Sequence, residues 1–167
     1  GLNQLNEDTF EGPSQWMPHG RVFGGQVLAQ SLMAAQHTID SADRSVHSMH
    51  GYFLRPGDIE LPIKFTVDRL RDGRSFSTRR VQAFQNEQAI FSMIASFQDH
   101  DPGMEHQTEM PSDIPAPETL PTAAELVGEN PHPVAQYWAK ARPFDMRHVP
   151  SPVYFKVEGE LIAHQAV

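Results

Sequence analysis

Gly24-Gly25-Gln26 opens a segment that carries no Asp, Glu, Lys or Arg from Val22 to Ile39. Glycines at a helix start leave backbone N–H groups free at the positive end of the aligned peptide dipoles. Such donors, here near Gly25 and Gln26, suit a phosphate or the oxyanion formed when water attacks an acyl carbon. The same glycines also suit a chain that merely turns tightly into a crowded helix, and both readings stay open. His47 and His50 are the candidate general bases. Two-residue alternation sets His47 beside Met49, Gly51 and Phe53, and His50 beside Val46, Ser48 and Tyr52. A histidine on a core strand is more often a hydrogen-bonded packing residue. Arg74 sits in a basic block, Arg44 to Arg80, with eight Lys/Arg against four Asp/Glu. That block fits either a small polyanion or a solvated strand face with alternating charges. His100, Asp101 and His106 lie close together, but their spacing matches no helical or hairpin ligand pair, so no metal is expected.

Other chemistries are excluded by what is missing. Without cysteine there is no thiol nucleophile, Cys-based zinc site or disulfide. No Gly-x-Ser-x-Gly elbow, phosphate-binding loop of the Gly-x-x-x-x-Gly-Lys type or dinucleotide fingerprint occurs. No cofactor is implied. A net charge of −8 over 167 residues argues against a general nucleic-acid binder. No apolar run is long enough to span a bilayer.

The elements that must position these residues are readable from periodicity. Val27, Leu28, Ser31, Leu32, Ala35 and Ile39 follow a helical period, placing a helix over about 25–38. Lacking a charged face, it is expected to be wrapped by the rest of the protein. One short strand is expected near Thr9-Phe10-Glu11. Val46–Leu54 reads as a strand closed by Pro56-Gly57. Ile63, Phe65 and Val67 alternate with polar residues up to about Arg71, and Asp72-Gly73 suits a tight turn with positive backbone angles. Ser75–Gln85 returns, Asn86-Glu87 turns again, and Ala89, Phe91, Met93, Ala95 and Phe97 line one face of the next strand. A helix followed by an antiparallel meander long enough to curl around it is an α+β plan, that of a hot-dog fold. Residues 1–100 form this first domain. Residues 101–141 read as a Pro- and acid-rich linker with short helices near Ala123–Val127 and Val134–Ala141. Residues 142–167, with strand starts at Arg142–Val149 and Val153–Val157, read as the beginning of a second such domain, cut short.

Three motifs carry a resemblance. They are Val22-Phe23-Gly24-Gly25-Gln26-Val27-x-x-Gln30-Ser31-Leu32, then Val46-His47-Ser48-x-His50-x-Tyr52-Phe53-Leu54-Arg55-Pro56-Gly57-Asp58, then Leu70–Val81. With Ala95–Gln98 and Glu105-His106-Gln107 they resemble the acyl-CoA thioesterase II family over nearly the whole chain. The resemblance implies a double hot-dog that hydrolyses fatty acyl-CoA to free acid and coenzyme A. It also implies a catalytic Asp, Thr and Gln in the second unit, which no residue here matches. His47 matches a histidine proposed for catalysis in that family.

The residues agree on one requirement. A helix with Gln26, Gln30 and Gln36 but no carboxylate cannot supply a base, so the base must come from another helix. A second hot-dog unit or a homo-oligomer is the expected partner, with fatty acyl-CoA as substrate. Gly24, Gly25 and Gln26 would meet the thioester, Met33, Met49 and Phe53 the acyl chain, and Arg74 the coenzyme A phosphates. The competing reading is a non-catalytic acyl-CoA-binding or assembly module. A hydratase of enoyl thioesters is disfavoured, because it needs an acidic partner at the helix. The family implies bacterial cytoplasm, or peroxisomes in a eukaryote. Chain-length preference is not legible.

Overall fold

Polar residues dominate the first twenty positions, yet Asn3–Asn6 (β1) and Thr9–Gly12 (β2) pair as an antiparallel hairpin. So it stands in the computed structural model, which describes residues 1–149 and 166–167. The single strand expected near Thr9 therefore has a neighbour the periodicity did not show. Phe10 is the reason the hairpin holds: it is fully buried, and its ring stacks on His37 at 5.6 Å. The chain divides into two units, Gly1–Gly103 and Met104–Val167.

In the first unit a helix, α1 (Gly24–His37), precedes four long strands. These are β3 (Arg44–Phe53), β4 (Ile63–Asp72), β5 (Phe76–Gln85) and β6 (Gln88–Asp99). All pair antiparallel in one curled six-stranded sheet of order β1-β2-β4-β5-β6-β3. Alternation decides the inner face: Phe65, Val81, Ala83, Phe91, Met93, Ala95 and Phe97 point in and are buried. Against them α1 sets Val27, Ser31, Ala34 and Ala35, a narrow face of small side chains that lets helix and sheet backbones approach closely.

The expectation of a helix wrapped on every side is corrected. Gly25, Ala29, Met33 and Gln36, one above another on the flank opposite the buried face, are exposed. A sheet of this length encloses one side of a helix, and that leaves an uncharged strip in water. The β3 edge is similarly open: every residue but Arg44 is exposed, including Val46, Met49, Tyr52 and Phe53.

Buried arginines fix the helix on the sheet. Arg79 is 1% exposed and gives Nε to the Thr38 hydroxyl at 2.8 Å and Nη2 to the Thr38 carbonyl at 3.0 Å. It also bonds Asp72 at 2.7 Å and the carbonyls of Arg71 and Thr78. One guanidinium thus satisfies the carbonyl end of α1 and ties it to β4 and β5. Arg44 does similar work at the sheet's end, with a two-pronged bond to Asp99 at 2.8 and 3.0 Å and further bonds to Ser77, Gly73 and Arg74. Turn chemistry differs from expectation at one of two sites. Gly73 has no positive φ, because β4 and β5 are joined by three residues closed by Gly73 N–H to the Phe76 carbonyl at 2.8 Å. Asn86 and Glu87, at φ 47° and 62°, are the two-residue turn with positive angles.

In the second unit Ala123–Val127 (α2) begins with a capping box between Thr122 and Glu125. Pro133–Gln136 (α3) continues into a π-helical turn, Tyr137–Ala141, so the expected helix is present with a loosened second half. Arg142–His148 is not a strand; Val149 makes an isolated antiparallel bridge to Ala166. The strand expected at Val153–Val157 lies outside the described residues.

Two outcomes follow. Arg79, hydrogen-bonded to Asp72, holds that carboxyl below its usual range. A depressed folded value means the stabilisation is complete above about pH 4 and is lost as pH falls through the folded value. Thermal midpoints of the native chain and Asp72→Asn should therefore differ near neutrality and converge in acid. Glu87→Gly should stabilise by roughly 0.5–1 kcal/mol in urea titration, because glycine adopts the positive angle without strain.

Candidate active site

The start of α1 meets the far end of β3. Phe53 lies on Gly24 so closely that a Cβ there would stand 3.0 Å from the ring, and it tilts against Phe91 at 4.9 Å. Gly51 admits Phe91 in the same way, with a Cβ position 2.6 Å from its ring. Around this contact opens a cavity of about 430 Å³. Val22, Val27, Phe53 and Ile90 form its apolar walls, Gly24 its helix-start side, and His19, Arg21 and Arg55 its polar part. No Asp or Glu lines it.

The N–H groups of Gln26 and Val27 both bond the Phe23 carbonyl, at 3.0 and 3.3 Å. Among the described residues the N–H groups of Gly24 and Gly25 make no hydrogen bond, so the free donors lie one residue earlier than the sequence suggested. The Gln26 side chain is also committed: its oxygen accepts from Gln15 N–H at 2.9 Å and its nitrogen donates to the Pro13 carbonyl at 2.8 Å. It holds the chain between β2 and α1 in place.

The remaining candidates are dispersed. A bulge in β3 between Val46 and Ser48 shifts the alternation, so Val46, rather than His47, shares the inner face with Met49, Gly51 and Phe53. His47 is turned to the outer face, where its Nε2 lies 2.9 Å from the Ser96 hydroxyl and its ring meets Phe76 edge-on. The sheet separates it from α1. Met49 lies on the inner face of the edge strand and Met33 on the open flank of the helix. Arg74 joins β4 to β5 beside Arg44, whose Nη2 bonds its carbonyl. Since β3 runs ten residues from Arg44 to Phe53, Arg74 and the helix start lie at opposite ends of the sheet, about 30 Å apart along the strand.

Half of the basic block is spent on internal pairs: Arg44 with Asp99, Arg69 with Glu7 and Asp8, Arg79 with Asp72, Arg80 with Asp68. Among the described residues Arg71 and Arg74 are exposed and enter no ion pair, and no cluster of three metal-ligating side chains occurs. Sequence reasoning overlooked Arg21 and Arg55 as site residues. The signal was available for both, since Arg21 immediately precedes the glycine motif and Arg55 lies in Leu54-Arg55-Pro56-Gly57.

A curled antiparallel sheet around one helix, with a cavity at the glycine-opened helix start, defines a hot-dog protein. The family described as acyl-CoA thioesterase N-terminal domain matches residues 12–98, and the chain belongs to it. Acyl-coenzyme A thioesterase 8 of Homo sapiens is 45% identical over 129 residues, 77% of this chain and 40% of the relative. Acyl-CoA thioesterase 2 of Haemophilus influenzae is 41% identical over 150 residues, 87% of this chain and 52% of the relative. The crystal structure of an acyl-CoA thioesterase II, TesB2 from Mycobacterium marinum, superposes with a TM-score of 0.63 at 46% identity, over 72% of this chain and 43% of that one. The chain spans about half the length, or less, of the curated relatives it matches.

These placements separate two roles by mutation. Gln26→Ala, which strands Gln15 N–H and the Pro13 carbonyl, should cost about 1–2 kcal/mol in denaturant titration. His47→Ala, at an exposed edge, should change stability by less than about 0.5 kcal/mol.

Proposed function

We propose that this chain is the first hot-dog unit of an enzyme that hydrolyses fatty acyl-CoA thioesters to free acid and coenzyme A. The observation that carries the reading is the apolar-walled cavity that opens beside Gly24 at the helix start, where the N–H groups of Gly24 and Gly25 make no hydrogen bond among the described residues. Water attacks the thioester carbonyl, a C–O bond forms, and the developing oxyanion takes hydrogen bonds from those donors. The C–S bond then breaks, the thiolate leaves and is protonated, and no acyl-enzyme forms. The acyl chain lies along Val22, Val27 and Phe53.

A base must accept the proton of the attacking water, and neither α1 nor the cavity lining supplies a carboxylate. His47 takes no part in this step, because the sheet stands between it and the helix start. The base comes from the helix of a second hot-dog unit of different sequence, since a copy of this chain would bring the same carboxylate-free α1. The uncharged flank of α1 and the open β3 edge support that partner, since together they offer apolar area and a row of strand donors and acceptors. Arg74 then meets coenzyme A phosphates only if they are presented at the far end of the sheet. No helix among the described residues is long and apolar enough to cross a membrane. We place the activity in the cytoplasm of a bacterium, or in the peroxisome of a eukaryote.

One observation favours the non-catalytic module as second reading, the missing carboxylate itself. Thiol release from decanoyl-CoA decides between them. This polypeptide alone should release no more thiol than buffer, and its assembly with a second unit bearing a helix carboxylate should turn over. An inert assembly that still binds acyl-CoA would leave the binding module, and fast turnover by the polypeptide alone would put the base within these residues.

A further inference from the structure

The polar part of the helix-start cavity is cationic, although the step proposed above needs no cation. His19, Arg21 and Arg55 line it, and no carboxylate faces them from the rest of the lining. The other arginines of the first unit's sheet are largely answered by Asp or Glu. Arg55 is anchored by one nitrogen only, Nη1 to the Ala89 carbonyl at 2.8 Å, which leaves the rest of its planar fork available. Arg21 is exposed and enters no ion pair among the described residues. Two guanidinium groups beside an apolar wall are unanswered charge next to buried hydrocarbon, and their complement is an anionic head on an apolar tail.

We infer that this cavity binds a free fatty acid, with the carboxylate on Arg21 and Arg55 and the chain against Val22, Val27, Phe53 and Ile90. The inference rests on the acyl-chain placement proposed above and extends it to the acid set free. A thioester is neutral where the acid carries a full negative charge, so the arginines distinguish product from substrate. Coenzyme A phosphates fit the cavity less well. The pantetheine arm holds them far from the acyl group, and a space of about 430 Å³ does not take both ends. The consequence is retention of the acid after hydrolysis, and inhibition by fatty acid that weakens when the arginines are removed.

Calorimetric titration of this chain with dodecanoate, dodecanol and coenzyme A tests it without any turnover. Dodecanoate should bind, dodecanol at least about tenfold more weakly, and Arg21→Gln should lower dodecanoate affinity by about tenfold while leaving dodecanol unchanged. Arg55→Gln should act in the same direction. Because it also gives up the bond to Ala89, the Arg21 variant decides if Arg55→Gln fails to fold. Equal binding of acid and alcohol, or unchanged dodecanoate affinity in Arg21→Gln, overturns the inference. So does coenzyme A displacing dodecanoate from the native chain through the same arginine, since the anion would then be a phosphate. A protein that holds dodecanoate but hydrolyses nothing, even when assembled, sinks the proposed reaction and spares this site. One that hydrolyses acyl-CoA and ignores the acid does the reverse.

Discussion

A fourteen-residue helix with no Asp, Glu, Lys or Arg buries one face of small and apolar side chains and its carbonyl end, and the first unit is arranged around that constraint. Ala34 and Ala35 let the sheet come close, while Phe65, Phe91 and Phe97 fill the space on the sheet side. Closeness creates a second problem, because the end of α1 is buried at Thr38 and its acceptors need donors. Arg79 answers it from below. Its charge is tolerated at 1% exposure because every nitrogen has a partner and Asp72 balances it. With its far end clamped, α1 has a fixed axis, and Gly24 at its start is held against Phe53.

That clamp reaches function through geometry. The cavity at the helix start exists because Gly24 has no side chain to hold Phe53 away, and because Gly51 lets Phe91 come forward beneath it. Gln26, often the kind of residue credited with substrate contact, is spent on Pro13 and Gln15. Its role is to fix the approach to the helix. Structural order and open backbone donors thus fall to neighbouring residues of one motif. The Gln26 side chain is spent on Pro13 and Gln15, while the N–H groups of Gly24 and Gly25 stay unbonded among the described residues.

What this unit leaves unfinished is as informative as what it closes. An apolar flank on α1 and an unpaired β3 edge cost free energy in water unless something covers them. Under the proposed reaction the cavity also needs a proton acceptor, because no Asp or Glu lines it. One partner unit meets both needs, and that economy is why the composite site is preferred to an inert module.

Much of this was legible in the residues. The 3.6-residue period gave α1 to within one residue, the two-residue period gave β4 to β6, and Asn86-Glu87 announced its turn, because local sterics and one-sided burial act on neighbouring residues. The glycine motif and the missing carboxylate likewise followed from residue types alone. Tertiary structure decided what depends on residues far apart in sequence. It placed β3 beside β6 and bent it with a bulge that carried His47 to the outer face, and it set Arg74 at the far end of the sheet from Gly24. It also spent four arginines of the basic block on carboxylates and left Arg21 and Arg55 unspent at the cavity. Pairing partners, register shifts and charge neutralisation are long-range choices, fixed when the sheet closes on the helix, and no window of the chain contains them.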